Sequence, residues 1–168
     1  MFLGIVVIMT TYYALFGFVA IMVGTPGPAN LLVMLAGVQR GIWGSIGFIC
    51  GLIFGKFLLN MFIGLGFGFV LSSNPLLHTV FGYISAGYMI WLASRSWPRA
   101  SIKDSKENYN RYSQFSFRDG FVVHPLNPKA WVMVMLAWSH FAPAFGDFFL
   151  QLFVVISTFG LCQIFFHF

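Results

Sequence analysis

Long apolar runs fill most of the chain, each near or above the twenty residues that a helix needs to cross a bilayer, and polar residues are confined to short clusters between them. Residues 5–38, 42–71, 76–97, 118–141 and 147–168 form five such runs. The pattern predicts an all-α, polytopic membrane protein of about five transmembrane helices. The first run is too long for one straight crossing and is interrupted by Thr25-Pro26-Gly27-Pro28-Ala29-Asn30. The fourth is interrupted at Pro125 and again at Asn127-Pro128-Lys129-Ala130. Between the second and third runs, Ser72-Ser73-Asn74-Pro75 predicts a tight turn with Asn74 as N-cap and Pro75 at the first helical position.

The two interruptions read as helix restarts inside the membrane. Proline at the first helical position gives up an N–H that had no partner, and Thr, Gly or Asn just before it is a favoured cap. Each restart offers free backbone groups at bilayer depth, which lipid tolerates only where protein buries them or a polar cavity receives them. Paired half-helix N-termini are also how transporters hold anionic substrate groups. Pro26, Gly27, Pro28, Asn30, Asn127, Pro128 and Lys129 are therefore the candidate substrate-binding residues; the competing reading is a pair of packing kinks, with the two Asn side chains satisfying freed backbone groups.

Composition narrows the class. Of 168 residues, 59% are hydrophobic and 8% charged, with a net charge of +5. Arg95, Arg99, Lys103, Lys106, Arg111 and Arg118 crowd into or beside one polar linker over 98–117, as in a cytoplasmic loop under the positive-inside rule. The charge thus sets orientation and implies no nucleic acid. With the Arg40 turn on the same side, the turns at 72–75 and 142–147 face outward, as does the N-terminus. Trp43, Trp91 and Trp97 lie where an aromatic belt would sit. No cleavable signal pattern begins the chain, although Met9 could serve as the start. Cys50 and Cys162 lie in different apolar runs with no metal-ligand spacing, so packing is their first role. No metal or cofactor is expected.

Ionisable residues inside spans carry the remaining chemistry. Lys129 lies about 16 Å beyond Arg118 at 1.5 Å per helical residue, near mid-bilayer, where an ionisable group is a functional candidate by default. It either neutralises a substrate carboxylate or hydrogen-bonds carbonyls bared by the break. Lys56, with Asn60 one turn later, forms a polar strip that must point inward, toward substrate or a helix end. His124 is the candidate for proton coupling, or a core imidazole bonded to a carbonyl. Gly47, Gly51 and Gly55 recur every four residues, a face for close helix contact. Gly17-Phe18-Val19 before Pro28 and Gly120-Phe121-Val122 before Pro128 suggest two inverted units, 1–97 and 118–168, joined by the linker.

The Pro26-Gly27-Pro28-Ala29-Asn30-Leu31 stretch, the glycine-rich second run, Ala86-Gly87-Tyr88-Met89-Ile90-Trp91-Leu92, and Phe117 to Phe121 leading to Asn127-Pro128-Lys129-Ala130 together resemble the LysE/RhtB family of bacterial amino-acid exporters, in order and spacing. The resemblance implies six helices, residence in the inner membrane, and proton-driven export of neutral or weakly charged, homoserine- or threonine-like amino acids, without enzyme activity. A homo-oligomer is allowed. Against the family pattern the second unit is one helix short, His124-Pro125 stands where Asn-Leu is expected, and Lys56 occupies a position that is often acidic or small. The alternatives are thiol-redox transfer through Cys50 and Cys162, or an inactive remnant or interaction subunit. Topology is testable directly: a reporter fused at Asn108 should read as cytoplasmic and one at Asn74 as periplasmic, and the reverse pattern would overturn the orientation.

Overall fold

The computed structural model describes residues 2–96 and 115–168. Trp97 and the basic linker up to residue 114, on which the orientation argument rests, lie outside the described residues. The chain forms α1 (Phe2–Gly24), α2 (Pro28–Phe62), a π-helical turn (Ile63–Phe67), α3 (Gly68–Ser73) and α4 (Pro75–Ser96). After the linker come α5 (Phe117–Val123), α6 (Pro128–Leu136), a second π turn (Ala137–Phe141), a 3-10 turn (Ala142–Phe145) and α7 (Phe148–His167). Among the described residues there are helices and turns but no strand. The molecule is an all-α polytopic membrane protein. Among the described residues, three helical stretches are long and apolar enough to span by themselves: Leu3–Gly24, Pro28–Val70 and Phe148–His167. The middle one would reach about 64 Å as a straight helix, roughly twice the hydrocarbon thickness.

That long stretch is not straight. Gly41 takes φ 67° and ψ 178°, outside helical values, a left-handed φ that glycine adopts without a Cβ clash. The bend falls at the expected Arg40 turn. Ala29, Leu32 and Ala36 before it join Phe48 and Leu52 after it, with Val123 of α5, in one buried apolar cluster. Arg40 donates from its guanidinium to the Phe115 carbonyl at 3.3 Å, tying the bend to the start of α5. Ser116 then caps α5 in a capping box with Asp119, so each side chain satisfies a backbone donor of the other.

The caps follow the sequence closely. Asn74 Oδ1 accepts from the Leu76 and Leu77 amides at 3.1 and 3.2 Å. Asn127 Oδ1 accepts from the Lys129 amide at 3.0 Å, with Pro128 opening α6. Asp147 Oδ2 accepts from Phe149 and Leu150 at the head of α7. The fourth apolar run is two short helices, α5 and α6, separated by residues 124–127.

A second and larger apolar cluster joins Leu15, Val19 and Val23 of α1, Leu59 of α2, Met133 and Val134 of α6, and Val155 and Phe159 of α7. Outside it, side chains such as Val38, Trp43 and Phe165 are almost fully exposed, as lipid-facing positions require. The tightest contact is α2 against α5. A Cβ on Gly51 would strike the Phe117 carbonyl, one on Gly55 the Phe121 carbonyl, and one on Gly120 the Phe48 carbonyl. Gly47 does not belong to this contact: among the described residues nothing comes within 4 Å of where its Cβ would go.

Backbone cannot retreat as a flexible side chain can. Gly120→Ala should therefore destabilise the protein by roughly 1–3 kcal/mol or more and lower its melting temperature in detergent by several degrees. Gly47→Ala should leave it unchanged or slightly raised. Equal losses at the two positions would show that the close α2–α5 contact is not what these glycines provide.

Candidate functional site

The two breaks meet. α1 ends at Gly24 and α2 restarts at Pro28, with Gly27 as an extended N-cap; α6 restarts at Pro128 with extended Asn127 as its cap. A helix end leaves carbonyls without intrahelical partners, and side chains from both restarts turn back to satisfy those of α1. Asn30 Nδ2 donates to the Val23 carbonyl at 2.7 Å and the Thr25 carbonyl at 3.0 Å. Lys129 Nζ donates to the Thr25 carbonyl at 2.9 Å and the Thr25 hydroxyl at 2.8 Å, with the Pro26 carbonyl at 3.5 Å. A cation at a helix C-terminus also complements the macrodipole. Of the two roles open to Lys129 from sequence, the bond to bared carbonyls is the one formed in this structure.

Gly27 permits this contact for a reason of space rather than backbone strain. A Cβ there would lie 3.3 Å from Lys129 Cδ and 3.4 Å from Nζ, so any larger side chain displaces the lysine.

Behind this bond lies a small cavity of about 20 Å³, lined by Gly27, Asn30, Lys56, His124, Asn127, Lys129, Gln163 and His167, with Val23 and three further apolar side chains. That volume holds about one water. Pro26, Pro28, Pro128 and Asn60, all expected at the site, do not line it. Pro128 lines a separate and larger groove beside α4, together with Trp131 and Ser85. Asn60 spends its amide elsewhere: Nδ2 donates to the Lys56 carbonyl at 3.0 Å and Oδ1 accepts from Trp138 Nε1 at 3.4 Å.

The interior of the cavity is basic. Lys56 is 1% exposed; its Nζ lies 5.0 Å above the Phe159 ring and has no hydrogen-bond partner among the described residues. His124 is buried at the end of α5, its Nε2 2.9 Å from Gln163 Nε2. An amide that donates to Nε2 leaves the imidazole proton on Nδ1, and that nitrogen has no partner among the described residues. His167 Nε2 lies 3.2 Å from Asn30 Oδ1. The Asn30 amide nitrogen is committed to carbonyls, so its oxygen accepts and His167 Nδ1 is left as an unpartnered acceptor.

Gln163 and His167 were not expected from sequence. Their four-residue spacing places both on one face of α7, and an amide and an imidazole recurring one turn apart in an apolar helix is the signal that could have found them. The two cysteines stay free, Cys162 buried in the apolar cluster and Cys50 exposed.

Comparison with known proteins gives this arrangement a family. A membrane protein of uncharacterised function from Vibrio cholerae serotype O1 is 25% identical over 134 residues, covering 79% of this chain and 65% of its own length. The membrane protein YrhP of Bacillus subtilis strain 168, also uncharacterised, is 26% identical over 155 residues, 86% of this chain and 74% of its own. The chain thus spans about two thirds to three quarters of the relatives it matches over most of its length. A cysteine/O-acetylserine efflux protein of Salmonella typhimurium strain LT2 is 33% identical over 85 residues, half of this chain and 42% of that protein. No solved structure matches significantly. The profile of the LysE type translocator covers residues 20–166, both breaks included, and the chain belongs to that family of membrane proteins.

Proposed function

We propose that the chain exports small neutral or weakly charged amino acids across the bacterial inner membrane, with the substrate site between the breaks at 26–30 and 125–130. The observation that carries the reading is the convergence of both breaks, from opposite ends of the sequence, on one polar cavity within an apolar molecule. Kinks that served packing alone would have no need to share a cavity lined by amides, imidazoles and two lysines. The efflux of cysteine and O-acetylserine named for the Salmonella relative has the same substrate class.

In this reading Pro26, Gly27, Pro28, Asn30, Asn127, Pro128 and Lys129 form the site and its closure. With space for about one water, the cavity is closed to an amino acid. Lys129 releases the end of α1 when the two units, 1–97 and 118–168, rock apart, and re-forms its bonds when they close. His124, held by Gln163, is the coupling group for protons.

Export is measured as amino acids appearing in the medium of overexpressing cells, with membrane abundance matched between variants. The wild-type chain should raise external cysteine, O-acetylserine or threonine above the vector control. Lys129→Met keeps the stem and deletes the charge; losing its charge-assisted hydrogen bonds should cut export roughly ten-fold or more. Gly27→Leu should do the same by displacing the lysine. Vector-level export by the wild type would remove the transport reading, and normal export by Lys129→Met would leave the breaks as packing kinks.

A further inference from the structure

Lys56 is a buried amine that lines the cavity and finds no partner there among the described residues. It is 1% exposed and its Nζ makes no hydrogen bond among the described residues. The charged and titratable groups around it are Lys129 from α6, His124 from the end of α5 and His167 from α7; α1 contributes none to the lining. Among the described residues no carboxylate lines the cavity. Asp119 is held by Ser116 at the head of α5, and Asp147 caps α7. A charged ammonium in an apolar interior requires an opposite charge or hydrogen-bond acceptors close to it.

We propose that Lys56, with His124 and His167, forms a subsite for the carboxylate of the transported molecule. The proposal rests on the transport reading above and assigns the part of the substrate that this end of the site takes. Carboxylate fits the donors better than a larger oxyanion does. The cavity admits one small polar group, and of the residues that line it Lys56 and His124 carry donors, Nζ and Nδ1, without a partner among the described residues. His167 Nδ1, an acceptor in this arrangement, becomes a further donor on protonation.

Division of labour between the two lysines follows. Lys129 has its oxygens already, from Thr25 and Pro26, and so closes the site; Lys56 lacks them and receives the substrate. A bound carboxylate and a proton on this cluster strengthen each other, because each supplies the charge that the other needs.

The test uses the full chain purified in detergent, with its melting temperature followed in sodium acetate, L-serine, sodium chloride and ethanolamine hydrochloride at matched ionic strength. Acetate and serine should raise the melting temperature of the wild type by roughly 2–4 °C at saturation, and chloride and ethanolamine should not. Lys56→Met should melt at or above the wild-type temperature without ligand, since a buried polar group without a partner is gone, and should lose the response to acetate and serine. His167→Phe should weaken the response several-fold, which keeps the question open to answer if Lys56→Met does not fold. Equal shifts with chloride and acetate, no shift in the wild type, or an undiminished shift in Lys56→Met would each overturn the subsite. Export separates the two readings: carboxylate stabilisation in a chain that exports nothing keeps the subsite and removes transport, while export without carboxylate stabilisation keeps transport and removes the subsite.

Discussion

A helix that stops leaves carbonyls without partners in its own ladder, and here those carbonyls belong to the end of α1. Lipid offers them nothing, so the protein must. Asn30 and Lys129 supply the donors, one from the restart of the same run and one from a restart a hundred residues later. The long-range bond is the consequential one. It brings the head of α6 against the end of α1, and the cavity is the space left behind that junction. The Asn30 oxygen, free because its amide nitrogen is committed, fixes the tautomer of His167 and so the face that this imidazole turns to the interior.

The junction depends on packing some distance from it. α5 and α6 can place His124 and Lys129 only if α5 is seated against α2, and that seat is made by Gly51, Gly55 and Gly120, whose missing side chains let backbone meet backbone. Close approach of this kind is how helices associate where no hydrophobic gain is available between them. Arg40 and the Ser116–Asp119 capping box fix the near end of α5, while the broken segment 124–127 frees its far end to turn toward the cavity. A continuous helix through 117–141 would have carried Lys129 along one face fixed by the seat of α5.

Local chemistry was legible in the sequence, and long-range direction was not. Asn74, Asn127 and Pro28 announce their caps because a cap is settled within four residues. Gly51 and Gly55 announce a close contact by their spacing, but Gly47 shares that spacing and faces open space, since period alone does not say how far a partner helix extends. Lys56 was expected to point inward and does. Asn60 was grouped with it by spacing, yet its amide is taken by its own helix and by Trp138. The expectation also fixed on the free N–H groups of the restarts, whereas the side chains bond the carbonyls of the helix that ends there. Gln163 and His167 went unremarked because each, taken singly, is an ordinary polar residue in a long apolar run.

The bond between Lys129 and Thr25 is the claim on which the site stands, and a double-mutant cycle measures it most directly. Thr25→Val removes the hydroxyl acceptor and Lys129→Met the donor, and the stability of both single variants and the double variant is read from thermal or denaturant unfolding in detergent. If the two residues are bonded as described, their effects are not additive, with a coupling of about 1 kcal/mol or more for a charge-assisted hydrogen bond. Additive effects would mean that the Lys129 ammonium is not bonded to the Thr25 hydroxyl, and would contradict the junction as described.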